Sequence, residues 1–586
     1  MRVLSVALVV VACVRCAPEP EPSISAAVGG AGATATRTPQ PLYGGTVAVS
    51  IDGKTVLVSD PDRDQVSLVN LARTRVDSRV DLTAGSVPVR AVDDGAGHFA
   101  VALRGRGKVA FIDQADGALL NEFAVCPEPR GVTRSAPGQV LVACATGELV
   151  ALSSDGETST QLLGLEGRDV LATSAGTFVS AFRSAELLDV STSTFQRPAS
   201  TPISAPTGFE PQVAWRTLLA PSGDIVMVHQ LERTSDIPLA MRPVTTPGMP
   251  PPSSAYGGSS ATPCPEAVVR SGVTVFSRGS SKTFEVSGVL PVDAAVSPDG
   301  ELLVVANAGN HQLTTVRLTQ DARNGVISRC GPSNQPPGQL LEQPMGIAFT
   351  PTGELIVHYR VPHALVIRSK SGAETTRLTL TPDQLDPPGH RLFHSATGAL
   401  ACASCHPEGQ EDGHVWKVGG TERRTQQLSG GLLATAPFHW KGDLSSLGHV
   451  MQDTFVNRMG GTMPSAAAVG DLGRFLDGLD APRAPSRAVP APEAAGRAAF
   501  EKARCDDCHA GDKLGSNATV QIGRTEAFQV PSLVGVARRG PWMHDGCAKT
   551  LRQRFTDTQC GGTQHGDVAL LMPTELDDLV AWLETR

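Results

Sequence analysis

The stretch Val296-Ser297-Pro298-Asp299-Gly300-Glu301-Leu302-Leu303-Val304-Val305-Ala306 predicts the end of one strand, a tight turn and a second apolar strand. The same pattern recurs six more times before residue 375. The glycines that align with Gly300 are Gly53, Gly97, Gly138, Gly176, Gly223 and Gly353. Most of them are about 40 residues apart, which is the length of a four-stranded blade. Seven such units predict an all-β, seven-bladed propeller over residues 43–375.

The longest interval, between Gly223 and Gly300, contains a stretch from Pro238 to Pro265 that is rich in Pro, Ser and Gly. That composition predicts a long loop. A pair of β-sandwiches is the alternative fold, but the regular recurrence of the turns favours the propeller. The segments resemble the YncE-like propeller family, although only Ser297-Pro298-Asp299-Gly300 matches its S-P-D-G turn in full. The expected role of the propeller is that of a scaffold or docking surface.

Two motifs in the last third of the chain carry chemistry: Cys402-Ala403-Ser404-Cys405-His406 and Cys505-Asp506-Asp507-Cys508-His509. Each is a C-x-x-C-H, the pattern at which a c-type haem is attached. The two thiols form thioethers with the porphyrin, and the histidine binds the iron. One such motif could instead be half of a zinc site or a redox dithiol. Two complete copies predict two covalently bound haem c groups, with His406 and His509 as proximal iron ligands.

The last 200 residues repeat themselves and predict two small helical halves, each like a cytochrome c. The halves span 383–480 and 496–586, and a Pro/Ala-rich linker over 481–495 joins them. Each half ends in an apolar pattern of helical spacing, at 469–479 and 575–585. The predicted fold is therefore multidomain, an all-β propeller followed by an all-α di-haem domain.

Residues 383–586 resemble the bacterial di-haem cytochrome c peroxidase/MauG superfamily. The resemblance is carried by Gly389-His390-Arg391-Leu392-Phe393, Phe438-His439-Trp440-Lys441-Gly442, Val530-Pro531-Ser532-Leu533 and Pro541-Trp542-Met543-His544-Asp545-Gly546. It implies two haems that face each other, one handling electrons and the other hydrogen peroxide or a protein substrate. It also implies a tryptophan between the haems, for which Trp440 is the candidate, with ordinary core packing as the alternative.

The chain departs from the peroxidases of that superfamily at one important place. They carry a glutamate just before a methionine, and that acid assists O–O cleavage. This chain has Asn457-Arg458-Met459 instead, which leaves Asp453 as the remaining candidate acid. Whether the protein is an enzyme is therefore left open.

The sixth iron ligands are predicted from position within each half. Met459 is the candidate in the first half, with Met463 as its rival. In the second half Cys560 stands at that position, so His565 becomes the candidate. Arg424 and Arg524 occupy matching positions and are candidates for pairing with haem propionates. Solvated arginines are the alternative.

The N-terminus predicts export. An apolar run from Val3 to Val11 is too short to span a bilayer and resembles a signal peptide over residues 1–16. Val10-Val11-Ala12-Cys13 resembles a lipobox, with ordinary cleavage near Cys16-Ala17 as the alternative. Residues 17–42 predict a disordered linker. We therefore expect a periplasmic or outer-membrane lipoprotein of a Gram-negative-type bacterium, with a lipid anchor as its only membrane contact.

Composition and cysteine usage agree with export from the cytoplasm. A net charge of −8 over 586 residues, without a basic patch, argues against a nucleic-acid partner. Six cysteines remain outside the signal region and the two motifs, and an even number outside the cytoplasm predicts disulfides. The favoured pairs are local in sequence: 126–144, 264–330 and 547–560. Other pairings and free thiols are the alternatives.

The sequence predicts an exported di-haem cytochrome that exchanges electrons with an unidentified redox protein. One alternative is a peroxidase or MauG-like oxidoreductase acting on hydrogen peroxide or a protein. A second alternative is a propeller that binds a ligand or partner while the haems report redox state.

Overall fold

The computed structural model describes residues 38–191, 199–238, 267–277, 279–318, 341–522, 526–560 and 565–586. Residues Thr38–Arg586 form one compact unit. Its first part consists of seven antiparallel sheets that follow one another along the chain. The predicted seven-bladed propeller is therefore confirmed.

The strands of the first four blades, in chain order, are β1 Val47–Val49, β2 Thr55–Asp60, β3 Gln65–Asn70, β4 Arg75–Asp81; β5 Pro88–Asp93, β6 His98–Leu103, β7 Lys108–Asp113, β8 Leu119–Ala124; β9 Pro129–Ala136, β10 Gln139–Cys144, β11 Glu148–Ser153, β12 Thr158–Leu162; β13 Gly167–Thr173, β14 Gly176–Ala181, β15 Leu187–Asp189 and β16 Ala199–Thr201. Those of the last three blades are β17 Phe209–Leu219, β18 Ile225–Arg233, β19 Val269–Ser277, β20 Ser280–Val286; β21 Pro291–Val296, β22 Leu302–Asn307, β23 Gln312–Arg317; β24 Glu342–Phe349, β25 Leu355–Val361, β26 Ala364–Arg368 and β27 Glu374–Thr379. The sixth blade shows three strands within the described ranges.

The blades pack face to face around a ring that closes between the last and the first. Each innermost strand contacts the next one along the chain, and β24 contacts β1. Because side chains alternate between the two faces of a strand, one strand packs against the blades on both of its sides. In β2, Val56 and Val58 pack towards the seventh blade, whereas Leu57 packs towards the second. This explains why the strands are apolar on both faces rather than alternately polar.

The recurring glycines have the backbone conformation that the turn demands. The seven aligned glycines have φ between +70° and +143°, a region that L side chains rarely adopt. In the turn at Gly300, the Asp299 carboxylate accepts a hydrogen bond from the Glu301 amide at 3.0 Å. The repeat seen in the sequence is thus a repeat of one turn geometry.

The C-terminal region is not the all-α domain that the sequence predicts. Apart from short 3₁₀ turns, its described elements are α1 Pro388–His394, α2 Cys402–Cys405, β28 Val415–Val418, β29 Thr421–Arg424, α3 Leu447–Val450, a π-helix Met451–Arg458, α4 Ala466–Asp477, α5 Glu493–Lys502, β30 Thr519–Gln521, β31 Ala527–Gln529, α6 Leu551–Thr556 and α7 Pro573–Leu583. Long irregular segments and two small hairpins separate these short helices. Glycines such as Gly419, Gly420, Gly430 and Gly431, all at positive φ, disfavour helix over these segments.

Helix α4 ends the first half and α7 ends the second, close to the predicted helices at 469–479 and 575–585. Helix α4 packs on α1, with Phe475 against His390 and Phe393. Helix α7 packs on α5, where Trp582 contacts Phe500. The second half thus has an apolar core of its own, whereas the core of the first half is continuous with propeller residues such as Phe182 and Trp215.

Disulfides join Cys126 to Cys144 and Cys547 to Cys560, which confirms two of the three predicted pairs. Cys264, Cys330, Arg524 and the predicted signal with Cys13 lie outside the described residues. The end of the predicted linker is described, and its Leu42 is buried. Within the described part of the chain, no helix has the length and apolar character required to cross a membrane.

Candidate haem-binding cavities

Two cavities lie in the C-terminal region, and each opens at one C-x-x-C-H motif. The first has a volume of about 440 Å³ and is lined by Cys402, Cys405 and His406. The second, of about 320 Å³, is lined by Cys505, Cys508 and His509. The structure therefore gives each motif a largely apolar cavity of its own.

The first motif forms a single helical turn, α2, on which both thiols face the cavity. The His406 amide donates to the Cys402 carbonyl at 3.0 Å, which turns the chain so that the imidazole follows the thiols into the cavity. Burial lowers the pKa of His406 to about 4, so the ring is neutral and its nitrogen is available to a metal. This donor set suits a haem c.

The π-helix Met451–Arg458 and the residue that follows it form part of the wall of the first cavity. π-Helical segments are rare and occur frequently at functional sites. Met459 is buried and lines the cavity together with His406, whereas Met463 is 44% exposed. Of the two candidate methionines, Met459 is therefore the one that lines the cavity. Arg458 also lines this cavity and pairs with Asp453 at 2.7 Å.

The second motif has its histidine oriented by a backbone contact. His509 Nδ1 donates to the Leu514 carbonyl at 3.0 Å, which leaves Nε2 as the nitrogen that can bind iron. The ring of His565 lies across the cavity, with its centroid 6.2 Å from that of His509 and the two ring planes 22° apart. This separation fits one metal ion between two imidazoles with bonds of about 2 Å each.

His565 is held at this place by its own segment. Its carbonyl accepts a hydrogen bond from Arg554 at 2.8 Å, while its Nδ1 is buried without a hydrogen-bond partner among the described residues. Burial, with Arg554 and His509 nearby, holds the pKa of His565 well below its ordinary value. Cys560, at the position of the methionine, is bonded to Cys547 and is not available as a ligand.

Trp440 and Arg424 line both cavities, so they lie where the two sites approach each other. The Trp440 indole nitrogen donates to the Arg424 carbonyl at 2.7 Å. The Arg424 side chain is buried and pairs with Glu411 at 2.9 Å, and the other oxygen of Glu411 pairs with Arg539 at 2.9 Å. Burial lowers the pKa of Arg424 to about 10, which still leaves it charged. The sequence did not indicate Glu411 or Arg539.

A buried cluster joins the first motif to the propeller. Glu408, two residues after His406, has φ of +59° and lies within 2.7 Å of Arg104, 2.8 Å of Arg130 and 2.5 Å of Arg168. Burial opposes ionisation, but the three guanidinium groups hold the pKa of Glu408 well below its usual range. The signal for this cluster was an arginine near the start of two successive innermost strands, Arg130 in β9 and Arg168 in β13.

The second half also contacts the propeller through charge. Arg538 pairs with Glu128 at 2.6 Å and with Glu166, and Arg183 donates to the Gly540 carbonyl at 3.1 Å. Both candidate sites are therefore held against the same end of the propeller.

No protein-family model matches the chain. Hydrazine synthase subunit gamma of Kuenenia stuttgartiensis is 23% identical over 258 residues, covering 32% of this chain and 73% of that protein. Among solved structures, a Kuenenia stuttgartiensis hydrazine synthase chain has a TM-score of 0.44 at 16% identity, covering 59% of this chain and all of that chain. The dihydro-heme d1 dehydrogenase NirN in complex with DHE has a TM-score of 0.35 at 17% identity, covering 58% and 66% of the two chains. These are distant similarities.

Proposed function

We propose that this protein is an exported di-haem c-type cytochrome that exchanges electrons with a redox protein. The observation that carries the proposal is that each C-x-x-C-H motif has its own cavity, with a second iron-binding side chain lining it. Across the second cavity, His565 faces His509 at 6.2 Å between ring centroids.

The residues of each cavity take defined roles under this proposal. Each haem, when bound, would supply reversible one-electron chemistry at its iron. Cys402 and Cys405 anchor the first, with His406 and Met459 as ligands, and a Met/His pair raises the potential. Cys505 and Cys508 anchor the second; His509 and His565 are its ligands and set a lower potential.

The residues between the cavities support transfer between two sites. Trp440 is in contact with both cavities, and Arg424 holds its indole in place. This arrangement is in keeping with the di-haem peroxidase/MauG resemblance, which remains part of the proposal. Arg424 and Arg539 share one carboxylate, Glu411, and both line the second cavity, so they are candidate partners for propionates.

The propeller is proposed to act as the scaffold that holds residues 402–408, which contain the first C-x-x-C-H motif, in place. Glu408 supports this role because three arginines from the second, third and fourth blades surround its carboxylate. The peroxidase alternative has less support: Arg458 lines the first cavity at the expected position of the acid, and Asp453 is paired with it. A lipid anchor at Cys13 would tether the protein outside the cytoplasm.

The experiment that tests the proposal counts the haems. Mature protein secreted from a host with cytochrome c maturation should retain haem on denaturing gels and show an intact mass with two haems. Cys405→Ala and Cys508→Ala should each remove one. A mass with fewer than two haems, or haem lost on denaturation, overturns the proposal. A high-spin spectrum with rapid turnover of hydrogen peroxide would favour the enzyme.

A further inference from the structure

A chain of titratable side chains runs from the surface of the fifth blade to the first C-x-x-C-H loop. Its members are Glu210 on β17, Glu232 on β18, and Asp412 and His414 from the segment that follows the motif. The Glu210 side chain is 45% exposed, whereas those of His414 and Glu232 are 2% and 0% exposed. The chain therefore begins in solvent and ends in the interior.

The contacts of His414 show that it shares a hydrogen with Glu210. Its Nε2 lies 3.0 Å from the Arg233 carbonyl, which can only accept, so Nε2 carries hydrogen. Its Nδ1 lies 2.6 Å from Glu210 Oε1, a distance that requires a proton on one of these two atoms. The same Nδ1 is 3.6 Å from Glu232 Oε2, and the His414 amide donates to Asp412 at 2.9 Å. His414 thus links the exposed carboxylate to both buried ones.

Glu232 is placed next to the haem loop. The side-chain nitrogen of Gln230, Nε2, donates to Glu232 Oε1 at 3.1 Å. It also donates to the carbonyl of Ser404, inside the first motif, at 2.7 Å. Glu232 Oε2 is buried and accepts no hydrogen bond from any residue that the structure describes. A buried carboxylate oxygen without a donor is costly in its ionised form and is relieved by a proton.

Among the residues that the structure describes, no arginine or lysine contacts the buried carboxylates of Glu232 and Asp412. The titratable and charged groups that face it are Glu210, Glu411, His414 and Cys405, with Lys549 beyond Glu210. Burial, and then the charge of Asp412, raises the pKa of Glu232 well above its ordinary value. Burial also raises the pKa of Asp412. Added negative charge nearby raises both further, because charges interact strongly in a low dielectric.

We propose that Glu232 and Asp412 form a proton-binding site that takes up one proton when the first haem site gains an electron, with His414 and Glu210 conducting the proton from solvent. This inference rests on the proposed electron-transfer function. With haem bound, one electron lost by a donor protein would convert ferric iron at the first site to ferrous iron, and a proton from water would add to a carboxylate oxygen of Glu232 or Asp412. The charge of the interior is unchanged by the combined step.

The test is the pH dependence of the midpoint potentials of the two-haem protein, measured by spectroelectrochemistry between pH 5 and 9. The potential of the first haem should fall as pH rises, approaching a slope of about 59 mV for each tenfold change in proton concentration. The second haem is the internal control, and its slope should be smaller. Infrared difference spectra on reduction should show a new protonated-carboxyl band.

Glu232→Gln keeps the size of the side chain and should abolish both the slope and the infrared band. Glu210→Gln, at the solvent end, should keep the slope but slow proton uptake after a light-driven reduction. Asp412→Asn provides a second variant if Glu232→Gln does not fold. The inference is overturned if the midpoint potential of the first haem does not change with pH in the unmodified protein. It is also overturned if Glu232→Gln leaves the pH dependence of that potential unchanged. Since both measurements require two bound haems, failure to bind haem would count against the proposed function instead.

Discussion

Arg130 of β9 and Glu408 of the first C-x-x-C-H loop lie 2.8 Å apart, both buried, and join the propeller to the first candidate haem site. Arg104 and Arg168 complete the shell around the same carboxylate. Because Glu408 follows His406 by two residues, its position and that of the iron ligand are coupled. The propeller and the C-terminal region therefore meet at the place where the first haem would be attached.

Glu408→Gln should destabilise the protein substantially. The change leaves three buried guanidinium groups without their shared carboxylate, and breaking a buried ion pair costs about 3–5 kcal/mol. Chemical denaturation followed by circular dichroism measures the loss. The matched control is Glu374→Gln, which removes a partly exposed partner of Arg377 and should cost less than about 1 kcal/mol. Equal effects of the two substitutions would contradict the role given to Glu408.

Met459→Ala and His565→Ala should each change one haem. Met459→Ala should lower the midpoint potential of the first haem, the higher of the two, by at least about 80 mV, because the choice of axial ligands changes haem potentials over a range of ~0.8 V. His565→Ala should alter only the lower potential and produce a high-spin spectrum there. Redox titration with visible spectra measures both, and Met463→Ala, at an exposed position, is the control. Unchanged spectra in both variants would refute the two ligand assignments.

Stability should fall in mild acid because several buried histidines are neutral. Burial lowers the pKa of His229 to about 4, and that of His363 and His394 to about 3. Below pH 6.5 the unfolded chain binds protons that the folded chain does not, so stability present at pH 7 is lost as pH falls towards 4. Each histidine contributes about 2 kcal/mol to the loss between pH 6.5 and 5. Denaturant unfolding at several pH values tests this, and His229→Gln should flatten the profile.

The two disulfides should differ in their effect on the haem spectra. Cys547–Cys560 closes a loop of 13 residues just before His565, and such a bond contributes about 3 kcal/mol. The double change to serine should loosen the His565 segment and add a high-spin component at the second haem. The corresponding change at Cys126 and Cys144, in the propeller, is the control and should leave the spectra unchanged. Identical spectra for all three proteins would show that the bond does not hold His565.

Features that depend on residues close together in the chain could be predicted from the sequence. The seven turn glycines indicated the propeller because a positive φ is a local requirement that glycine meets. The two C-x-x-C-H motifs located the cavities, since one helical turn sets the spacing of thiols and histidine. Cys126–Cys144 and Cys547–Cys560 were predictable for the same reason. The all-α expectation failed because helical patterns at the ends of each half say little about the glycine-rich segments between them.

Only the tertiary structure decided which residues that are far apart in the chain contact each other. The sequence alone determined the propeller, the two motifs and their candidate ligands. It could not pair Glu408 with Arg168, 240 residues away, nor place Gln230 beside Ser404, 174 residues away. Buried charges and amides acquire partners only when distant segments fold together, and the cost of leaving them without partners is what selects those pairings. The coupling of the propeller to the first site is therefore a property of the fold.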